Sequence, residues 1–244
     1  MIQVSHLTKV YGRRTAVQDL SFTVEDGQIC GLLGPNGAGK STVMNILTGY
    51  IAPTSGSVSV EGHPLPEEAA AARACVGYLP ETPPLYPDMT VAEYLRFAAE
   101  LKGVRRAGRA AAVAAAARRT GVEDVMPRLI RSLSRGYRQR VGIAQALLSD
   151  PKVIILDEPT VGLDPAQVTG IRRLIQQLGH KHTVILSSHI LSEVQAVCSR
   201  VLILSHGVLA ADGTLEELTA GGRSLEQVFL ELTGSDAPGE EGAE

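Results

Sequence analysis

The chain has 244 residues, of which 44% are hydrophobic and 20% charged, and its formal net charge is −3 at pH 7. This balance is ordinary for a globular domain, and it excludes a general electrostatic attraction to nucleic acid. The longest apolar runs are far shorter than the roughly 20 residues of a membrane-spanning helix. Because the first residues also lack a secretory signal pattern, we expect a cytosolic chain that does not cross a membrane.

Apolar runs punctuated by Gly and Pro alternate with helical patterns along the chain, which is typical of an α/β domain with a mainly parallel sheet. Core strands are predicted at residues 28–33, 76–80, 153–157, 183–188 and 201–205. Residues 20–24 and 57–61 instead alternate apolar with polar side chains, which favours a half-exposed antiparallel sheet. We therefore expect a mixed-sheet core with a small antiparallel β region.

Helical patterns dominate the stretch from residue 90 to 149, which contains no convincing strand. It begins with Thr90 and Glu93 at the spacing of a helix capping box, and it predicts an inserted helical lobe. Two more capping boxes, at residues 214–217 and 224–227, predict short helices that close the chain. The last ten residues, 235–244, contain four acidic side chains and no large apolar group, so we expect a disordered acidic tail.

Residues 34–41 have the sequence Gly-Pro-Asn-Gly-Ala-Gly-Lys-Ser and lie between a strand pattern and a helix pattern. This order predicts a phosphate-binding loop, because backbone N–H groups and a helix N-terminus can together surround an anion. Lys40 is expected to reach the outer phosphates, Ser41 to hold Mg²⁺ and Thr42 to contact an inner phosphate. The alternative is a glycine-rich turn without a ligand. The predicted nucleotide-binding residues of this segment are Gly34, Pro35, Asn36, Gly37, Ala38, Gly39, Lys40, Ser41 and Thr42.

Two acidic residues, Asp157 and Glu158, end the apolar strand predicted at 153–157. Since ligands of parallel sheets bind at the carboxyl ends of strands, Asp157 is a candidate for the metal shell and Glu158 for the general base. The alternative is a strand that ends at a solvated acidic turn. His189 follows the next predicted strand, where it can be structural or can donate a hydrogen bond to a γ-phosphate.

Residues 133–140, Leu-Ser-Arg-Gly-Tyr-Arg-Gln-Arg, lie between the phosphate loop and the acidic strand. This segment resembles the signature sequence of the nucleotide-binding subunits of ABC transporters, especially bacterial subunits of the multidrug and ABC-2 exporter type. The resemblance covers about residues 2–233. It implies that Ser134 and Gly136 of one subunit face the γ-phosphate held by another. Within the same signature, Arg135 and Tyr137 stand where the commonest family sequence has Gly and Gln.

The resemblance also implies the fold, a P-loop NTPase core of the RecA-like type. The ATPase domain would cover residues 1–222, with its core at 1–85 and 150–222 and the helical lobe at 86–149. Residues 223–234 resemble the short carboxy-terminal helix of exporter-type subunits, which favours an exporter over an importer.

Four further site residues are implied by the resemblance. Tyr11 would stack on adenine, with Val17 supporting the same base, although Tyr11 could instead cover an edge of the small sheet. Glu81, which replaces the usual Gln, would join the metal site. Asp164 would lie in the loop that links the two opposed active sites, and followed by Pro it is also a good helix start.

The implied function is ATP hydrolysis coupled to transport. Two copies, identical or related, would close on two Mg–ATP molecules and drive a separate integral membrane permease from the inner face of the membrane. An alternative is a soluble ABC-type ATPase that acts on ribosomes or DNA, and another is a regulatory subunit with little turnover. The sequence has neither a long coiled coil nor a second phosphate loop, which disfavours the first alternative. Retention of Glu158 and His189 disfavours the second.

A cluster of basic residues could nevertheless form a nucleic-acid patch, although a solvated or membrane-facing helix is the favoured interpretation. We therefore do not expect nucleic acid as a partner. The basic positions are Arg128, Arg131, Arg135, Arg138 and Arg140.

Overall fold

The computed structural model describes residues 1–234, and the predicted acidic tail at 235–244 lies outside the described residues. The strands in the described part are β1 (Ile2–Tyr11), β2 (Arg14–Val24), β3 (Ile29–Leu33), β4 (Ser55–Val60), β5 (His63–Leu65), β6 (Val76–Leu79), β7 (Val153–Asp157), β8 (Thr183–Ser188), β9 (Arg200–Ser205) and β10 (Val208–Thr214). The helices are α1 (Lys40–Leu47), α2 (Ala69–Ala74), α3 (Val91–Leu101), α4 (Arg106–Thr120), α5 (Arg135–Leu147), α6 (Pro165–Gly179), α7 (Leu191–Val197), α8 (Leu215–Leu218) and α9 (Leu225–Thr233).

The larger sheet has six strands in the order β10-β9-β3-β8-β7-β6. Neighbouring strands run parallel except for β10, which pairs with β9 in the antiparallel direction, so the predicted mixed sheet is confirmed. Strands β7 and β8 are buried at every residue, as continuous apolar runs predict. Because β8 lies between β3 and β7, the carboxyl ends of these three strands meet at one edge of the sheet.

The smaller sheet is antiparallel and has the strand order β2-β1-β4-β5. The predicted strands at 20–24 and 57–61 correspond to parts of β2 and β4. Strand β1 was not predicted, and its pairing with β2 contains several register shifts. Such bulges interrupt the strict alternation of apolar and polar residues by which an exposed strand is recognised.

The segment between β6 and β7 contains α3, α4 and α5, which pack on one another. The capping box at the start of α3 is confirmed: the Thr90 N–H donates to Glu93 Oε2 at 2.8 Å, and the Glu93 N–H donates to Thr90 Oγ1 at 3.2 Å. The capping boxes of α8 and α9 are confirmed as well. The division into core, helical lobe and C-terminal helix stays a prediction.

Two apolar cores lie on opposite faces of the larger sheet. In β7, Ile154 and Leu156 face the core formed with helices α3 to α7, whereas Val153 and Ile155 face the core shared with α1 and the smaller sheet. Burial on both faces holds the strand ends in fixed relative positions. The chemistry-bearing residues that follow them are therefore placed by the packed sheet.

Candidate functional site

The predicted phosphate loop connects β3 to α1, and its shape requires glycine at two positions. A Cβ atom at Gly34 would lie 2.6 Å from the Leu204 carbonyl oxygen. Gly39 has a φ of +107°, and a Cβ atom there would lie 2.7 Å from the Ala16 carbonyl oxygen. No side chain caps α1 at Gly39, so the first N–H groups of the helix remain available to an anion.

Lys40 is the first residue of α1 and its side chain is buried. The ammonium donates to the carbonyl oxygens of Gly34 at 2.7 Å and Pro35 at 3.2 Å, so the loop itself orients it. Burial lowers the pKa of Lys40, and the Glu158 and Asp157 carboxylates oppose this shift. The nearer carboxylate oxygen, Glu158 Oε1, lies 3.7 Å from Nζ.

The carboxyl end of β7 presents Asp157 and Glu158, both of which are buried. Glu158 has a φ of +47°, a left-handed conformation that a residue with a side chain rarely adopts and that is often found at functional sites. Burial raises the pKa of Asp157; a hydrogen bond from Ser187 opposes this effect, and the negative charges of Glu158 and Glu81 add to it.

His189 follows β8 and reaches the same edge. Its Nδ1 atom lies 3.0 Å from Glu158 Oε2, so the imidazole and the carboxylate are within hydrogen-bond distance. Lys40, Glu158 and His189 therefore form one contiguous chain of interactions. The structure thus brings Lys40 together with two residues that lie more than a hundred positions further along the sequence.

An open cavity of about 610 Å³ lies over this chain of interactions. Three of its lining residues, Arg14, Ala16 and Val161, were not predicted. Arg14 is paired with Tyr11 across the turn between β1 and β2. The complete lining consists of Tyr11, Arg14, Ala16, Asn36, Gly37, Gly39, Lys40, Ser41, Thr42, Glu81, Glu158, Val161 and His189.

Val17 is not brought into this cavity. It is fully buried in the core beneath the phosphate loop, where its Cγ2 atom would be 3.2 Å from a Cβ atom at Gly39. Ala16, its neighbour in β2, lines the cavity instead. Val17 is thus placed to support the loop from below, and its predicted contact with a base stays a prediction.

The donor chemistry at the cavity floor fits Mg²⁺. Ser41 and Glu81 line the cavity, and Asp157 ends the neighbouring strand. Mg²⁺ prefers oxygen ligands and is usually held by one or two carboxylates together with substrate phosphates and water. These three residues provide one hydroxyl and two carboxylates, as such a site requires.

The predicted signature residues do not line the cavity, and one of them, Arg135, contacts the loop that precedes α6. Ser134 caps α5 by accepting the Tyr137 N–H at 3.3 Å, which leaves the hydroxyl hydrogen available to donate. A Cβ atom at Gly162 would lie 2.3 Å from the Arg135 guanidinium, so Arg135 packs directly on this loop. Asp164 caps α6 by accepting the Gln167 N–H at 2.9 Å, which confirms its predicted helix-start role.

Gly136, another of the predicted signature residues, is buried. A Cβ atom there would lie 2.6 Å from Cδ of Gln167, so that side chain packs against the glycine. The predicted contact of Gly136 with a nucleotide stays a prediction. Tyr137, at the next position, donates its hydroxyl to Asp124 at 2.8 Å and is held away from Gly136.

Most of the basic residues considered as a nucleic-acid patch contact groups within the chain. Four of these contacts are Arg128 to Ser132 O at 3.3 Å, Arg131 to Asp88 at 3.0 Å, Arg138 to Leu133 O at 3.0 Å and Arg140 to Thr120 O at 3.0 Å. Guanidinium groups held in this way are less available to phosphates. The geometry does not favour a nucleic-acid surface.

Ser187 is a site residue that the sequence reasoning missed. Its hydroxyl donates to Asp157 Oδ1 and accepts the Glu158 N–H at 2.9 Å, and the side chain is fully buried. The available signal was a pair of serines at the end of the apolar strand pattern at 183–188. The pair of serines could be assigned to the site only when β8 was seen to lie beside β7.

A phosphate loop after β3, a pair of carboxylates after β7 and a histidine after the intervening β8 define a P-loop nucleotide hydrolase. The chain matches the family model described as ABC transporter over residues 17–161. It therefore belongs to the ABC transporter family and is an ATP-binding, ATP-hydrolysing member of it.

Similar proteins have been described at the levels of sequence and structure. The Nod factor export ATP-binding protein I of Paraburkholderia xenovorans is 38% identical over 220 residues, which cover 90% of this chain and 72% of that protein. A structure of an ATP-binding subunit of an ABC transporter is 32% identical with a TM-score of 0.85, covering 95% of this chain and 99% of the other. A dimeric bacterial ABC transporter cassette is 25% identical with a TM-score of 0.79, covering 88% and 98%.

Among residues 1–234, no helix combines the length and apolar character needed to cross a bilayer.

Proposed function

We propose that this chain is the ATPase subunit of an exporter, that it closes with a second copy on two Mg–ATP molecules, and that it drives a separate membrane permease. The observation that carries the proposal is the continuous Lys40–Glu158–His189 interaction in the lining of one cavity, with distances of 3.7 Å and 3.0 Å. A triphosphate in this cavity competes with Glu158 for the Lys40 ammonium. Binding thereby frees the carboxylate for the reaction.

Hydrolysis proceeds by attack of water on the γ-phosphorus. Glu158 accepts the water proton, and the bond from the γ-phosphorus to the bridging oxygen breaks, which gives ADP and phosphate. Lys40 stabilises the charge on the outer phosphate oxygens, and His189 donates a hydrogen bond to the γ-phosphate. Mg²⁺ held by Ser41, Glu81 and Asp157 supplies charge neutralisation at the phosphate oxygens. Tyr11 stacks on the adenine at the outer wall of the cavity.

The second copy completes each site. Ser134 and Asp164 are exposed and do not line the cavity of their own subunit. In a twofold dimer the surface that carries them meets the partner's cavity, so both sites are completed identically. The dimeric cassette to which this chain is similar supports this arrangement.

The permease partner follows from the family, whose relatives include ATP-binding proteins of exporters. Movement of the ATPase dimer would then be passed to a membrane protein at the inner face of the membrane. The similar Nod factor protein is named as an export ATP-binding protein, which supports export, and the presence of helix α9 supports it as well.

Capture of the ATP-bound state from native cells tests this proposal. Glu158→Gln keeps the size of the side chain but removes the general base, so the variant is expected to hold ATP in the closed dimer. After gentle solubilisation, we expect a multi-span membrane protein to co-purify in a fixed ratio. Lys40→Ala, which lacks the phosphate contact, is the control and should recover less partner when ATP is added. Recovery only with ribosomes or DNA, or only as a dimer without a membrane protein, would overturn the transport assignment.

A further inference from the structure

We propose that Ser187 is a positioning residue for ATP hydrolysis, which acts by holding Glu158 in its reactive orientation. The inference rests on the proposed role of Glu158 as the general base. Ser187 is the partner of Asp157 in the register between β8 and β7, so its hydroxyl lies directly opposite the end of the acidic strand. From there it makes hydrogen bonds to both acidic residues at once.

The two hydrogen bonds fix different parts of the acidic pair. The Ser187 hydroxyl donates to Oδ1 of Asp157, which sets the orientation of that carboxylate. It also accepts the N–H of Glu158 at 2.9 Å, which holds the peptide that leads into the left-handed Glu158 backbone at φ +47°. A residue other than glycine keeps a left-handed backbone conformation only when several surrounding contacts hold it in place. Ser187 supplies one of those constraints from a fully buried position.

The orientation of Glu158 matters because its two carboxylate oxygens have separate neighbours. Oε1 faces Lys40 and Oε2 faces His189. A peptide rotation at Glu158 would move both oxygens relative to a bound γ-phosphate, whereas the phosphate loop would keep its shape. Loss of the Ser187 hydroxyl should therefore slow the chemical step and leave nucleotide binding largely intact.

Thr183 provides a matched control at the opposite end of the same strand. It is also buried, and its hydroxyl likewise accepts a backbone N–H, that of Gly27, at 3.1 Å. Ser187→Ala and Thr183→Ala therefore delete the same kind of hydrogen bond from β8. The amino end of the strand is about 13 Å from Ser187 at the usual rise per residue, so the control is remote from the reacting groups.

The experiment measures kcat, KM for ATP and melting temperature for wild type, both alanine variants, Ser187→Thr and Glu158→Gln. Ser187→Ala should lower kcat by about 10- to 100-fold, the size of effect that a displaced reacting group produces. Its KM should stay within about threefold, because the phosphate loop and Lys40, which make the direct contacts with ATP, remain in place. Thr183→Ala should lose melting temperature to a similar extent and keep kcat. Ser187→Thr, which retains the hydroxyl, should recover most of kcat.

The possible failures are distinguishable. If Glu158→Gln loses turnover but Ser187→Ala does not, the positioning role is wrong and the proposed function stands. Equal losses of kcat in Ser187→Ala and Thr183→Ala would also refute the positioning role, since a general loss of stability would then explain both losses. Normal turnover by Glu158→Gln would overturn the proposed function together with this inference. If Ser187→Ala does not fold, Ser187→Cys replaces it, because cysteine keeps a similar volume with weaker hydrogen bonds.

Discussion

Replacing Gly39 by alanine changes the shape of the phosphate loop and leaves its charge unchanged. The new Cβ atom would lie 2.7 Å from the Ala16 carbonyl oxygen and 3.2 Å from Val17 Cγ2, both in β2. An ordinary contact starts at 3.4 Å, so the loop must move away from β2 by about 0.7 Å. The positive φ adds a strain of roughly 1–2 kcal/mol in the free energy of folding. A loop displaced by this amount loses the alignment of its N–H groups with the phosphates.

Gly62→Ala is the matched control for this substitution. Gly62 also has a positive φ, of +79°, but a Cβ atom there would meet nothing within 4 Å. Gly62→Ala should therefore lose about 1–2 kcal/mol of unfolding free energy in urea, and Gly39→Ala should lose at least as much because the clash adds to the same backbone strain. Only Gly39→Ala should weaken ATP binding, by at least about tenfold, or 1.4 kcal/mol, in calorimetric titration. Wild-type affinity in Gly39→Ala, or equal weakening in Gly62→Ala, would refute the steric reasoning.

Three further changes probe the base contact, the C-terminal helix and a buried histidine. Tyr11→Ala should weaken ATP binding by roughly 1–3 kcal/mol while Tyr11→Phe preserves it, as measured by nucleotide titration, since stacking needs only the ring face. Leu225→Ala, at a fully buried anchor of α9, should lower the unfolding free energy by about 2–5 kcal/mol, whereas the exposed Leu230→Ala should change it by less than about 0.5 kcal/mol in urea denaturation. Burial lowers the pKa of His182, so the unfolded chain binds its proton more readily and stability falls as pH drops below about 6.5. Urea titrations at several pH values should show that His182→Asn removes up to about 1.4 kcal/mol per pH unit from the dependence of the unfolding free energy on pH. If His182→Asn has the same pH profile as wild type, the burial of His182 does not cause the loss of stability at low pH.

The parts of the fold that the sequence predicts are those carried by local pattern. Strands β3, β7 and β8 are continuous apolar runs, and the phosphate loop is a contiguous motif between a strand and a helix. Their chemistry-bearing residues could be named because each one follows directly from such a segment. Lys40, Glu158 and His189 were predicted for this reason, and the structure places them in one chain of interactions.

The parts that were missed depend on tertiary pairing. Strand β10 includes Ala-Ala-Asp-Gly, which has little preference for a strand, and it forms by pairing with β9. Arg14 reaches the cavity because the smaller sheet packs over the phosphate loop. Ser187 acquires its partners only from the order β3-β8-β7, which no local pattern specifies.

Turnover by purified Glu158→Gln shows whether this carboxylate is the general base, because the substitution leaves the rest of the site intact. Compared with wild type, and with the surface control Glu216→Gln, the variant should lose steady-state ATP hydrolysis by about 100-fold or more. It should still bind ATP and should sediment as a dimer when ATP is present. Hydrolysis at the wild-type rate would contradict the account, since Glu158 would then have no part in the reaction.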